Sequence, residues 1–343
     1  MLSRRDFLGK SGLGVLGLSL ASRLTSLAAA EGRNGVAGSK VVLVRHSEVV
    51  DNEGRIQQPL LQEMLDEALT SFTGKGSIAD AWRVFFSPED VIGLKVNANS
   101  ARMLQGTELN AHYPAVTSAI LSGCRRAGIE ESRFVIWERS EEELSSAGFA
   151  VQNDPGRLRV LGTNRRRREP GGIGFSKESF PVGDESTHIS RILTEICTTM
   201  VNIPVLKDHG VAGMTGSLKN HYGSIDNPRE FHDNGCTGPG VPEINAIPVI
   251  REKERLIVCD ALLGVYNGGP RWGRPYVWPY GGVIVGTDPV AVDSVLLEIL
   301  DEKRLSEEME QLGHRARHVR IAEKLGLGTA DPENIQLVRK ELG

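Results

Sequence analysis

Three of the eight histidines, His209, His221 and His232, fall within one stretch of 24 residues that also carries Lys219, Asn220, Asp226 and, just outside it, Lys207, Asp208 and Cys236. Imidazole and carboxylate groups together suit zinc, copper, nickel or ferrous iron. His209, His221, His232 and Asp208 are therefore a candidate ligand set for a divalent transition metal. An amine suits an anion instead, and Lys207 or Lys219 could fix one as a point charge. The spacing matches no tight metal signature such as H-E-x-x-H. Taken singly, each histidine reads as a hydrogen-bonded structural residue. Taken together, ionisable groups at this density after a strand read as a site.

A second polar group, Lys95, Asn97 and Asn99, follows an apolar run, with Glu108, Asn110 and His112 further on. A lysine in an apolar strand is costly without a partner, so Lys95 either reaches into the same cleft or faces outward at an edge. The expected catalytic residues are Lys95, Lys207, His209, Lys219 and His221, with Asn97 and Asn220 binding substrate. The segment Gly268–Tyr280 reads as one loop that gathers Trp272, Tyr276, Trp278 and Tyr280 beside Arg271 and Arg274. Aromatic faces next to guanidinium forks suit a sugar ring or a carboxylated ligand, which adds Arg271 and Trp272 to the substrate-binding set; packing over the sheet edge is the other reading. The chemistry implied is metal-assisted or acid–base catalysis on a small anionic or sugar-like substrate. The alternatives are a periplasmic ligand- or metal-binding protein, or an accessory factor for an exported redox enzyme.

Elements that alternate along the chain must position these groups. Lys40–Val44 reads as a strand, Gln58–Phe72 and Ala79–Phe86 as helices, and Val91–Val96 as the next strand. Helix Pro114–Ala127 and strand Arg133–Trp137 complete a β-α-β unit, which produces a parallel sheet. Thr199–Leu206 reads as a strand ending in Lys207-Asp208-His209, and Arg255–Cys259 as one ending in Asp260. Strand Gly282–Val285 leads to Asp288-Pro289, an N-cap and N1 pair that starts a helix through Leu300. Between Asp154 and Asp184 the chain turns polar and glycine-rich and reads as an excursion. The fold class is α/β, a mostly parallel central sheet with flanking helices, in one large domain at 40–343. Polar groups at strand C-termini are where open α/β sheets bind ligands.

The first thirty residues read as a twin-arginine signal peptide: Arg4-Arg5, then a short apolar stretch diluted by Gly12, Gly14 and Gly17, then Ala28-Ala29-Ala30. Cleavage near Ala30 leaves a linker at 31–39 and an exported, periplasmic domain. The partners implied are the twin-arginine translocase and a signal peptidase, together with a small-molecule ligand. The apolar stretch is too short for a span of about 20 residues, so no stable membrane anchor is expected in the mature form. Without the leader the chain carries 36 basic and 43 acidic residues, a balance that excludes a nucleic-acid footprint. The run Arg165-Arg166-Arg167-Arg168 reads as a solvated loop or an anion-capturing one. Cys124, Cys197, Cys236 and Cys259 show no C-x-x-C spacing, so no iron–sulfur motif is present. Gly210, Gly213 and Gly216 lack the G-K-[ST] and G-x-G-x-x-G orders of a nucleotide site and read as tight turns.

Several motifs together carry a resemblance: Val91-Ile92-Gly93-Leu94-Lys95-Val96-Asn97, Trp137-Glu138-Arg139-Ser140, Val201 to His209, Thr215-Gly216-Ser217-Leu218-Lys219-Asn220, and Gly286-Thr287-Asp288-Pro289-Val290-Ala291-Val292-Asp293. In these the chain resembles the domain of unknown function 362 family, in its exported form without a ferredoxin module. The resemblance implies that Lys95, Asn97, Lys207, His209, Lys219, Asn220, Asp288 and Asp293 belong to the family's pattern. No reaction comes with it.

Overall fold

Alternating side chains of strand β1 (Ser39–His46) feed two different cores, Val42 and Val44 on one face of the sheet and Val41 and Leu43 on the other. That is the period-2 geometry of a strand buried on both faces. A computed structural model describes residues 39–166 and 169–343 as one compact α/β unit. The leader and most of the linker lie outside the described residues, as do Arg167 and Arg168.

In chain order the strands are β2 (Ile92–Val96), β3 (Phe134–Ser140), β4 (Arg159–Asn164), β5 (Phe175–Val182), β6 (Glu185–Ser190), β7 (Thr199–Ile203), β8 (Val205–His209), β9 (Gly213–Met214), β10 (Glu254–Val265), β11 (Val277–Gly286) and β12 (Ile335–Leu342). The main sheet runs β12-β1-β11-β10-β7-β2-β3-β4, with β8 beside β10 and β9 beside β8. Every neighbouring pair on the main path is parallel except the two made by β11.

Helices Gln58–Thr73, Ile78–Arg83 and His112–Arg126 pack their apolar stripes on one face, where Leu61, Leu65, Trp82 and Ile120 are buried. The long helix Pro289–Ser306 and the short helix Arg317–Lys324 cover the other. Asp288 caps the long helix by accepting from the N–H groups of Val290 and Ala291, both at 2.9 Å, and the helix runs six residues past the expected Leu300. Among the described residues no helix is long and apolar enough to cross a membrane.

Three boundaries differ from the sequence reading. The stretch 154–184 is only partly an excursion: β4 joins the main sheet at its edge, with Val135 opposite Arg159, and only the β5–β6 hairpin stands apart. The β4 pattern is weak because only Val160 and Leu161 of its six residues carry large apolar side chains, although the four central residues are buried. Val277–Tyr280, read as loop, belongs to β11, where Trp278 lies opposite Gly264 and fills the space that glycine leaves. Glu138, Asp208, His209 and Asp260 lie within strands rather than after them.

Candidate functional site

Strands β2 and β7 stay paired up to Val96 and Ile203. Pro204 then interrupts the ladder, since it has no N–H to donate. Beyond it β8 pairs with β10 and β9 and no longer with β2. The ends of β2 and β8 therefore part, and amide and amine side chains fill the gap.

Asn220 is the plug. Its Nδ2 donates to Asn202 Oδ1 at 2.7 Å and to the Lys95 carbonyl at 3.3 Å, while its Oδ1 accepts from Asn97 Nδ2 at 3.2 Å and Lys95 Nζ at 3.4 Å. Lys95 is fully buried, and its Nζ lies 2.7 Å from both Glu138 Oε2 and the Val96 carbonyl. Glu138 Oε1 accepts from the Arg139 N–H at 2.7 Å. Gly223 lies directly over this ion pair: a Cβ there would stand 2.6 Å from Glu138 Oε1 and 2.7 Å from Lys95 Nζ, so only glycine lets the backbone pass.

The helix Gly216–Asn220 carries Lys219 and Asn220 and is anchored at its start by Asp293. That carboxylate accepts from the Ser217 N–H at 2.5 Å, Ser217 Oγ at 2.8 Å and the Leu218 N–H at 3.1 Å. Burial nevertheless pushes Asp293 up to about 7. Gly216 has φ +61°, and a Cβ there would meet Asp293 Oδ1 at 2.4 Å.

Above this floor opens a cleft of about 740 Å³, whose walls include Asn97, His209, Lys219, Asn220, Tyr222 and His232. The size is that of a small-ligand site. Lys219 Nζ stands 3.5 Å from the centroid of the Tyr222 ring and 3.5 Å from His232 Nε2. Burial pushes this amine down to about 8, against a smaller upward pull from the Cys236 thiol; no carboxylate is among the groups that act on it. His232 Nδ1 lies 2.7 Å from the Pro228 carbonyl, which can only accept, so the ring hydrogen is on Nδ1 and the Nε2 lone pair faces Lys219. His209 has the opposite tautomer: its Nδ1 accepts from the Val211 and Ala212 N–H groups, both at 3.1 Å, which leaves the hydrogen on Nε2. Burial, helped by Lys219, His232 and Lys207, pushes His209 down to about 2, so the ring is neutral.

The carboxylates on the walls are already engaged. Glu138 holds Lys95, Glu143 accepts from Ser140 Oγ, Asp226 accepts from Thr187 Oγ1 and the His188 N–H, and Glu230 accepts from Asn227. The inner end of the cleft is thus left with amine, imidazole and amide.

Several candidate residues lie elsewhere. Lys95 and Lys207 sit one layer behind the walls. Lys207 is buried, with Nζ 3.4 Å from Asn97 Oδ1 and 5.2 Å from the Trp272 ring centroid, and it supports the amide floor rather than lining the cleft. His221 turns away from the cleft and is fully buried. Its Nε2 is 2.9 Å from Glu254 Oε2 and its Nδ1 is 3.0 Å from Ser224 Oγ. A further rotation of about 100° per residue carries His221 off the face that Lys219 and Asn220 present to the cleft.

Asp208 accepts from the Gly269 N–H at 2.7 Å, is raised by burial to about 6, and faces away from the cleft. His209, His221, His232 and Asp208 therefore do not converge, and among the described residues no group of three or more His, Cys, Asp or Glu side chains could hold a metal ion. Trp272 is buried, donating to the Tyr113 hydroxyl at 2.8 Å, and Arg271 is exposed. Of their segment only Pro270 reaches the cleft. The aromatic platform expected for a sugar is absent from the walls.

The sequence reading missed three partnerships. Glu138 is the counter-ion of Lys95. Glu254 joins Asn202 at 2.7 Å to His221. His112 Nδ1 lies 2.5 Å from Asp260 Oδ2 in full burial, with Nε2 unpartnered. The signal for each was a lone charged residue in or beside an apolar run, but the partner lies 33 to 148 positions away.

The model of the domain of unknown function 362 family matches residues 92–298 of the 343. No curated protein matches the chain. Among solved structures, the crystal structure of a Thermotoga maritima protein from a structural-genomics consortium is similar at a TM-score of 0.41 and 14% identity, over 74% of this chain. The chain spans 60% of the length of that protein. The family match takes in β2 to β11, the anchoring Asp293 and every wall of the cleft. The chain belongs to the domain of unknown function 362 family.

Proposed function

We propose that this family member is an exported acid–base enzyme that takes a small anionic substrate in the cleft. The observation that carries the reading is Lys219, a buried amine with no carboxylate partner among the described residues, set beside the Nε2 lone pair of His232. An ammonium held without a carboxylate in a buried site attracts an anion, and an amine near 8 exchanges its proton at physiological pH. His209 supplies a neutral N–H donor for a substrate oxygen, with no second cation needed.

The reading is tested by titrating the full chain with pyruvate, lactate and inorganic phosphate. At least one of the three is expected to bind, and Lys219→Met is expected to weaken it about 10- to 100-fold, the worth of a charge-assisted hydrogen bond. Because the ammonium is the charged form, affinity should hold below pH 8 and fall as pH rises through the Lys219 titration. Equal binding by wild type and variant, or no binding of any of the three, would defeat the reading.

Export through the twin-arginine translocase, with signal peptidase cleavage near Ala30, rests on Arg4 and Arg5 and the Ala28–Ala30 end of the leader. Replacing both arginines by lysine is expected to leave the chain uncleaved in the cytoplasmic fraction. Cleavage and release of the variant at the wild-type rate would count against this address.

A further inference from the structure

We propose that Lys219 is an imine-forming amine, which condenses with the carbonyl of a small oxo acid while His232 Nε2 takes and returns a proton. The inference rests on the anion-binding reading above and goes beyond it by naming a covalent bond and a substrate class.

Four features of the cleft carry it. Lys219 is 5% exposed yet lines the cleft, so its amine meets a ligand but little water. The His232 tautomer is set by the Pro228 carbonyl, and the resulting lone pair stands 3.5 Å from Nζ. Tyr222 presents its ring face to Nζ and is held in place by its own hydroxyl, which donates to the Phe231 carbonyl. A π-face stabilises a cation, and an iminium is one as much as an ammonium is. Arg229, three residues before His232, is an exposed residue on the same cleft. Its planar fork matches the carboxylate that an oxo acid carries beside its carbonyl. A buried lysine whose charged form is disfavoured is also the usual starting point for carbonyl chemistry.

The step balances within these groups. The Lys219 ammonium gives one proton to His232 Nε2, and the freed lone pair forms a bond to the carbonyl carbon. The carbon–oxygen π pair moves to the oxygen, which takes a second proton from the nitrogen. His232 returns its proton to that oxygen, which leaves as water as the carbon–nitrogen double bond forms. The third proton stays on the nitrogen, so an ammonium and a ketone become an iminium and a water with no change of charge and no oxidant or reductant.

The test is reductive trapping on the full chain. With pyruvate and cyanoborohydride at pH 7.5, peptide mapping is expected to find Lys219 modified at least about ten-fold faster than the exposed Lys75 and Lys177, because burial lowers the Lys219 amine to about 8, well under the ordinary lysine value, and His232 stands beside it. Lactate has no carbonyl to condense and is expected to give no adduct. His232→Gln is expected to slow trapping about 10- to 100-fold, and free imidazole in solution to restore part of the rate, which a merely structural role for His232 would not allow. Pyruvate that binds without a Lys219 adduct would overturn the imine and leave the anion-binding reading standing. Adducts spread evenly over Lys75, Lys177 and Lys219 would overturn the imine too. Absence of both binding and adduct would remove the two readings together.

Discussion

Glu138→Ala is expected to cost the fold about 3–5 kcal/mol, because it strands the Lys95 ammonium in full burial without its only carboxylate. The Val96 carbonyl and Asn220 Oδ1 would remain as acceptors, but two neutral oxygens do not replace a charge at 2.7 Å. Loss of the ion pair also loosens Asn220, which shares Lys95 with the floor of the cleft. Glu138→Gln keeps an acceptor and the contact with the Arg139 N–H, so it should cost less than alanine. The double replacement Lys95→Met with Glu138→Leu removes both charges and is expected to recover most of the loss. Urea unfolding of the single and double variants measures these terms. A Glu138→Ala variant within 1 kcal/mol of wild type, roughly the worth of an exposed pair, would mean that Lys95 is not held as described.

His318→Leu should stabilise the protein, and more so in acid. His318 sits on the helix Arg317–Lys324 in full burial, and neither ring nitrogen makes a hydrogen bond of good geometry, the Ala212 backbone being a weak partner only. At neutral pH the leucine removes buried unsatisfied polar atoms, worth about 1–3 kcal/mol. The pH term adds to this. Burial, then the Lys219 charge, pushes His318 down to about 3 from an ordinary value of 6.5, so the fold holds it neutral.

Below pH 6.5 the unfolded chain takes up a proton that the folded chain refuses. Wild type therefore loses stability relative to the variant as pH falls, by about 1.4 kcal/mol per unit, until the folded value near 3 is reached. Asp208 and Asp293, raised by burial, work in the opposite direction, but they are common to both proteins and cancel in the difference. Unfolding curves at pH 7.5 and 5.0 should show the gap widening by about 2 kcal/mol. A gap that is the same at both values would sink the buried, neutral assignment.

Much of the scaffold could be read from local pattern. Largely apolar runs marked β1, β2, β7 and β11, because a strand buried on both faces has few polar positions. The Asp288–Pro289 cap marked the start of the long helix because the orphan N–H groups there need an acceptor. Lys95 was flagged as a residue that needs a partner. The strand β4 escaped notice because only two of its six side chains are large and apolar, and the Pro204 break was hidden inside what looked like one strand.

The candidate site divides along the same line. Composition and spacing along the chain marked His209, Lys219, Asn220 and His232 as one polar region and Asn97 as part of a second, each at or after the end of a strand. Only the tertiary structure decided which of these regions' groups face the cleft. His221 follows Asn220 directly, yet a rotation of about 100° per residue turns it out of the cleft and onto Glu254. Trp272 and Lys207, chosen for aromatic and charged chemistry, are spent on each other and on Tyr113. The pairing of Lys95 with Glu138 and Asn220 spans 43 and 125 positions, separations at which neighbours are brought together by sheet register and helix packing rather than by local sequence. The tautomers that set His232 as acceptor and His209 as donor depend on which backbone groups each ring meets, and those contacts exist only once the chain has folded.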